Sequence, residues 1–127
     1  MTAVITHCVS LRLTAKLRPQ AGFCGAVLFF SAVCGTLSCL PISSTAYCLI
    51  ACFFELSTGA SLAAEVLPPT YAFLIIAGAI GWSGLSVHAQ TFMVTGGSLQ
   101  GGQYLVGKIL CALLCSLTAG LFLLIFP

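Results

Sequence analysis

The sequence contains no aspartate and no asparagine, and it has few charges of either sign. These absences exclude aspartic dyads, EF-hand loops, aspartate-based phosphoryl transfer and N-glycosylation. Charged residues make up 5% of the 127 residues, against about 25% in soluble domains. Hydrophobic residues make up 60%, and the mean hydropathy is +1.17. The composition therefore predicts one small membrane-embedded unit, and a net charge of +2 does not indicate a nucleic-acid-binding protein.

The few charges leave long uncharged stretches between them. The charged residues are Arg12, Lys16, Arg18, Glu55, Glu65 and Lys108. A transmembrane helix needs about 20 apolar residues, because the hydrocarbon core is about 30 Å thick and each residue rises about 1.5 Å. The stretches at about 21–40, 70–88 and 104–126 have this length and are predicted to span. The basic residues ahead of the first span predict a cytoplasmic amino terminus.

Residues 1–19 are interpreted as a cytoplasmic lead-in, and residues 20–127 as the transmembrane domain. A secretory signal peptide needs a shorter apolar segment and a small-residue cleavage site, which this sequence does not match. The lead-in is acid-free and contains arginine, so it also resembles an organellar transit peptide in composition. We favour the cytoplasmic lead-in.

Residues 42–67 are too interrupted to form one span. The apolar run 42–54 is followed by Glu55, by a turn-like segment at 56–59, and by a second short apolar run that ends at two prolines. Two half-length helices around a polar turn are typical of a re-entrant hairpin. With this hairpin, Lys108 lies in the cytoplasm, as the positive-inside rule prefers. The predicted fold is an all-α membrane protein with about three transmembrane helices plus a re-entrant helical hairpin.

Glu55 is the first candidate site residue, because an ionisable group at membrane depth is costly and usually functional. Glu55, Thr58 and Gly59 would bring a carboxylate, a hydroxyl and free backbone groups together at the hairpin tip, as transporters do at solute sites. Alternatively, this segment is the start of a helix, and Ser57 or Thr58 is its N-cap. A solute site and a helix cap are compatible with each other. Glu65 is expected to be a solvated carboxylate at a helix end.

The segment 78–90 holds the second group of candidate residues. Its three glycines weaken the helix, and its hydrogen-bonding side chains need partners in hydrocarbon. These side chains belong to Ser83, Ser86, His88 and Gln90. We expect them to face protein or water, where His88 and Gln90 would bind a polar solute or His88 would couple to a proton. Alternatively, they mark the cytoplasmic end of the span.

The eight cysteines include no CxxC pair, which excludes zinc ribbons and thioredoxin motifs. Cys48 and Cys52 share one helix face, and Cys111 and Cys115 share another, so four thiolates could in principle meet around a metal. We favour the alternative that they pack as small hydrophobic side chains. No metal and no cofactor is predicted.

The last predicted span has small residues on one face, with Tyr104 and Lys108 as interfacial anchors at its start. Ala112, Ser116 and Gly120 repeat every four residues and would let another helix approach closely. That helix belongs either to a partner or to the same chain. The preceding segment, 96–103, is rich in glycine and is predicted to be a flexible polar loop.

Two motifs resemble a known family. They are FELSTGA at 54–60 and GWSGLSVHAQ at 81–90. From about residue 40 onward the chain resembles the YlbJ-type sporulation integral membrane proteins, which belong to the nucleoside-recognition, or gate-domain, superfamily related to concentrative nucleoside transporters. The resemblance implies a polytopic membrane protein of endospore-forming bacteria, in which the first motif caps a hairpin and the second lies on a broken helix that faces it. By that analogy, the residues that contact solute or the opposing domain are Glu55, Thr58, Ser86 and Gln90.

The resemblance also implies a larger assembly, because family members are longer and carry two gate-like halves. The chain is therefore expected to be a fragment of a longer protein, or else two copies associate to rebuild the pair. The expected function is a transporter-like gate domain of the cell membrane, which forms part of a solute pathway in sporulation; a nucleoside-like solute is implied by the resemblance alone. The expected partners are the lipid bilayer, a small polar solute and a second gate-like half.

The alternative function is a non-transporting membrane scaffold or assembly subunit, in which the glycines and the small-residue face pack against partner proteins. An enzyme is not predicted. Glu55 and His88 are the only candidates for an acid/base pair, and nothing in the sequence places them within hydrogen-bonding distance.

Overall fold

The structure is a computed structural model that describes residues 24–96 and 98–126. The helices in these residues are α1 (Cys24–Leu37), α2 (Ser44–Phe54), α3 (Leu56–Val66), α4 (Pro69–Trp82), α5 (Gly84–Thr95) and α6 (Gly101–Ile125). This part of the chain contains no strand, so the predicted all-α class is confirmed. The predicted lead-in at 1–19 lies outside the described residues.

Two helical stretches are long and apolar enough to cross a bilayer. Pro69–Thr95 covers 27 residues and contains α4 and α5, and Gly101–Ile125 covers 25 residues and is α6. Both stretches are compatible with a membrane protein. The described part of α1 ends at Leu37, earlier than the predicted span 21–40, because the chain then turns and the Ser38 hydroxyl donates back to a helix carbonyl. The three-span topology stays a prediction.

Helices α2 and α3 fold back on each other around one non-helical residue, Glu55. Their closest approach is at Gly59, where an added Cβ would overlap the backbone of Cys52, so a glycine is required there. The two predicted half-length helices are therefore present. The predicted turn at 56–59 is wrong, because α3 begins at Leu56 and Gly59 is helical. A single extended residue reverses the chain, so no longer loop is needed.

The broken segment predicted at 78–90 has its break at Ser83. Ser83 and Gly84 have φ angles of 76° and 75°, and these two left-handed residues end α4 and begin α5. Glycine adopts this region freely, whereas a serine pays a steric cost. The helix resumes and continues to Thr95, past the end predicted for the span at residue 88.

Helices α4 and α6 pack through small residues. An added Cβ at Gly81 would lie 2.6 Å from the Ala112 Cα, and one at Gly78 would lie 2.5 Å from the Ser116 Oγ. The small-residue face of α6 is thus covered by α4 of the same chain, which is one of the two alternatives raised by the sequence. Gly78 and Gly81 serve this approach and remain helical.

Helix α6 begins at Gly101, so the prediction of a loop through residue 103 is wrong at its end. Its first turn is fixed because the Tyr104 N–H donates to the Gln100 carbonyl and the Tyr104 phenol bonds to another helix. Ala119 is the buried residue of α6, and most of its large apolar side chains are exposed. In contrast, the hydrophobic core lies between the hairpin and α4, and its buried members are Cys48, Cys52, Ala63 and Ala79.

Candidate functional site at two helix breaks

Glu55 lies at the tip of the hairpin with 4% of its surface exposed. Its carboxylate accepts hydrogen bonds from the backbone N–H of Ser57 at 3.2 Å and of Thr58 at 2.7 Å. The Ser57 hydroxyl lies 2.7 and 2.9 Å from the two carboxylate oxygens. Glu55 is therefore the N-cap of α3, and the prediction that Ser57 or Thr58 is the cap is wrong. An anionic cap also complements the positive end of the helix.

The hairpin tip lies directly against the break between α4 and α5. An added Cβ at Gly84 would lie 3.1 Å from the Leu56 nitrogen, 3.3 Å from the Phe54 carbonyl oxygen and 3.5 Å from the Glu55 Cα. A side chain at position 84 would therefore disturb the cap of α3 as well as its own left-handed backbone. The two segments that the sequence singles out separately are neighbours in the fold.

Trp82, at the end of α4, contacts both the hairpin and the helix that follows the break. Its indole N–H donates to the Phe53 carbonyl at 3.1 Å, and the two rings stack with centroids 5.2 Å apart and an interplanar angle of 13°. The edge of the His88 ring meets the Trp82 ring at a centroid distance of 4.5 Å. The indole therefore links α2, the break and α5. The position of Trp82 in the motif at 81–90 did not predict these contacts.

His88 is buried, with 3% of its surface exposed, and it bonds to α6 rather than to Glu55. Its Nδ1 lies 2.9 Å from the Tyr104 phenolic oxygen, which lies 3.5 Å from the Thr91 hydroxyl. Its Nε2 is buried and has no hydrogen-bond partner in the described part of the chain. This nitrogen can donate or accept one further hydrogen bond, depending on the tautomer of the ring.

Ser86 is the most deeply buried of the polar candidate residues, with 1% of its surface exposed. Its hydroxyl oxygen is buried and lacks a hydrogen-bond partner among residues 24–96 and 98–126. Glu55, Ser86 and His88 are the buried polar or charged residues of the described chain, and all three lie at or next to the two helix breaks. A buried polar atom without a partner is uncommon and needs an explanation.

The break also carries a positive charge, which belongs to Lys108 on α6. The Lys108 ammonium donates to the Ser83 hydroxyl oxygen at 2.8 Å, and that hydroxyl donates to the Ile80 carbonyl at 3.1 Å. Lys108, predicted from the sequence to be an interfacial anchor, contacts Ser83 instead, and this contact was not predicted. The two residues are 25 positions apart on different elements, so no local pattern reports it. The one feature of the sequence that pointed to such a role is that Lys108 is a single charge inside a long apolar stretch.

The remaining candidates do not join this cluster through their side chains. Thr58 contributes its backbone N–H to the Glu55 cap, and Gly59 permits the close approach inside the hairpin. Gln90 faces α1, where it lines a groove of about 400 Å³ with Cys24 and Leu28. Glu65 is exposed in the last turn of α3, as expected for a solvated carboxylate.

The described residues contain no group of three or more histidine, cysteine, aspartate or glutamate side chains that could hold a metal ion. The four cysteines that share helix faces in pairs therefore do not meet. Cys48 and Cys52 are buried in the core, whereas Cys111 is exposed on α6.

Comparison with protein families, with curated proteins and with solved structures gives no match for this chain. The site is therefore defined by its own geometry. Two interrupted helical segments meet, and buried polar groups surround their point of contact. Such an arrangement is typical of solute sites in membrane transporters, where discontinuous helices present backbone groups and helix ends.

Proposed function

We propose that the chain is a transporter-like gate unit that binds a small polar solute where the two helix breaks meet. The observation that carries this proposal is a pair of buried polar atoms beside those breaks, Ser86 Oγ and His88 Nε2, which have no hydrogen-bond partner among residues 24–96 and 98–126. Leaving a buried polar group unsatisfied costs about 1–3 kcal/mol. A bound solute with polar groups would recover that free energy.

The dimensions of the helices support a membrane placement with a re-entrant hairpin. Helices α2 and α3 have 11 residues each, or about 16 Å of length, which is half of a hydrocarbon core of about 30 Å. Each is too short to cross, and both meet at Glu55. In this proposal the hairpin enters and leaves on one side, while α1, the α4–α5 stretch and α6 cross a cell membrane from a cytoplasmic amino terminus.

The proposed cellular role follows from the resemblance to the YlbJ-type gate domains. The two motifs that carry the resemblance, 54–60 and 81–90, are the two that touch in this fold. The contact supports treating the two motifs as one site, whereas the proposed gate function in sporulation and the nucleoside-like solute rest on the resemblance alone. A second gate-like half or a second copy of the chain would complete the pathway, as in transporters built from paired repeats.

The experiment that tests the function compares solute uptake by the wild type and by Ser86→Ala in proteoliposomes. Radiolabelled uridine and inorganic phosphate serve as a neutral and an anionic probe. The Ser86 hydroxyl makes no hydrogen bond in the described chain, so its removal is expected to leave stability unchanged or slightly raised. We expect uptake of one of the probes by the wild type and its loss in the stable variant. Equal uptake by both proteins would contradict the proposal.

A second candidate function is the non-transporting scaffold. The observation in its favour is the exposed apolar surface of α6, whose side chains must be covered by lipid or by another protein. The small-residue face that suggested a scaffold is already covered by α4. The same proteoliposomes separate the two functions, because a scaffold would give no uptake with either probe in the wild type.

A further inference from the structure

The break between α4 and α5 carries a positive charge. The Lys108 ammonium is half-buried on α6 and lies 2.8 Å from the hydroxyl of Ser83, the last residue before α5. An ammonium group has three N–H donors, and the Ser83 oxygen takes one of them. The charge therefore lies at the start of α5, with donors to offer.

The start of α5 adds a second positive contribution. This helix has 12 residues, no acidic residue in its first turn, and no side-chain cap from Ser83. The unpaired N–H groups of a helix start are equivalent to about half an elementary positive charge. Helix α3 has an acidic cap at the equivalent position, whereas α5 has none.

The unpartnered buried groups lie next to this helix start. Ser86 is the third residue of α5, and the side chains of a helix lean toward its N-terminus, so the Ser86 hydroxyl lies over the first turn. The His88 ring lies against Trp82, the last residue of α4, and its Nε2 has no partner in residues 24–96 or 98–126. Both groups can donate a hydrogen bond to an oxygen at the break.

Glu55 does not neutralise this charge by direct contact. Its two oxygens accept from the backbone and hydroxyl groups of its own hairpin, at Ser57 and Thr58. The negative end of α4 also lies at the break, where the Ala79 and Ile80 carbonyls already accept from the N–H and hydroxyl of Ser83. A cationic ligand there would also meet the Lys108 ammonium and the positive end of α5. A ligand with negatively charged oxygen atoms would meet four kinds of donor.

We propose that the solute of this site carries an oxyanion, a phosphate or a carboxylate, which Lys108 and the first turn of α5 bind with Ser86 and His88. The inference rests on the proposed function and goes beyond it, because it fixes the charge of the solute and adds Lys108 to the site. Helix starts with a nearby cationic side chain are a common way of binding phosphate and carboxylate groups.

The single tryptophan of the chain provides the test. Trp82 contacts His88 and ends the helix at the break, so ligand binding there is expected to change its emission. The full chain is solubilised in dodecyl maltoside, a nonionic detergent without phosphate, and titrated at constant ionic strength with inorganic phosphate, succinate, uridine and uridine monophosphate. The same titrations are made with Lys108→Met and with Lys108→Arg, which keeps the charge.

We expect phosphate, succinate or the monophosphate to change the emission in a saturable way. We expect Lys108→Met to bind that probe about thirtyfold more weakly, since losing a charged hydrogen-bond partner of the ligand costs about 2 kcal/mol, and Lys108→Arg to bind nearly as well. A further preparation containing phosphatidylglycerol identifies a lipid headgroup as the source of the oxyanion. In that case the Trp82 emission of this preparation differs from that of the preparation in detergent alone, and soluble phosphate causes no further change.

Two results would overturn the inference in distinguishable ways. Saturable binding of uridine as tight as that of its monophosphate, unchanged in Lys108→Met, would retain the solute site but refute its selectivity for oxyanions. The absence of any response to all four probes and to the anionic lipid would refute the solute site itself.

Discussion

Replacing Glu55 by glutamine is predicted to destabilise the hairpin strongly, and replacing Glu65 in the same way is not. These are the two acidic residues of the chain, and the structure places them at opposite ends of α3. Glu55 is buried at the start of the helix, whereas Glu65 is exposed in its last turn. Glu55→Gln therefore tests the cap, and Glu65→Gln is the control for the loss of one negative charge.

The magnitude follows from the donors that surround Glu55. Two backbone N–H groups and one hydroxyl point at the carboxylate. A glutamine offers one acceptor oxygen with two lone pairs, and its amide group would face a donor. At least one hydrogen bond to a charged group is lost, worth about 1.5–3 kcal/mol. We expect Glu55→Gln to lower the free energy of unfolding by about 2 kcal/mol, and Glu65→Gln to change it by less than about 0.5 kcal/mol.

The assay is the loss of helical circular dichroism of detergent-solubilised protein as the mole fraction of sodium dodecyl sulfate rises. The two variants and the wild type are measured side by side in the same detergent. Equal midpoints for Glu55→Gln and the wild type would refute the assignment of Glu55 as a buried cap. A large loss for Glu65→Gln would show that net charge, rather than the cap, controls the result.

Three further predictions concern positions with matched controls, and the same unfolding assay tests them. Gly59→Ala is expected to destabilise the hairpin by about 1–3 kcal/mol because the methyl group overlaps Cys52, whereas Gly107→Ala, which has open space around it, should be neutral or gain up to about 1 kcal/mol. Equal effects would refute the close approach. Ser83→Gly should be more stable than Ser83→Ala by about 1 kcal/mol, since both lose the hydroxyl and glycine alone tolerates the left-handed backbone; the reverse order would contradict that backbone. Ser86→Ala should unfold no earlier than the wild type, because its hydroxyl has no partner in the described residues to lose.

The helical class and the two interruptions are predictable from the sequence because they depend on local signals. A carboxylate is costly in the middle of a helix that is buried in lipid or protein, so Glu55 inside an apolar stretch is a signal for a break. Clustered glycines weaken a helix, so a break near Gly84 is expected. The sequence could not show that Glu55 itself is the cap, because serine and threonine are the usual residues at that position.

The contacts that assemble the site are not predictable from a single sequence. The Lys108 contact with Ser83 and the Tyr104 contact with His88 join residues 25 and 16 positions apart on different elements. Local propensity and periodicity say nothing about such pairs. The same holds for the small residues of α6, whose four-residue repeat predicts a close helix neighbour and leaves open whether that neighbour is α4 or another chain.

A hairpin that folds back at Glu55 inside the membrane is the central feature of the proposed function. Its direct test is the reaction of Ser44→Cys and Val66→Cys with a membrane-impermeant maleimide in intact cells, each in a background without native cysteines. Both positions are exposed, at the start of α2 and at the end of α3. We expect both cysteines to react from the same side of the membrane. Reaction of one from outside and of the other only after the cells are opened would show that the stretch crosses the bilayer, and would contradict the account.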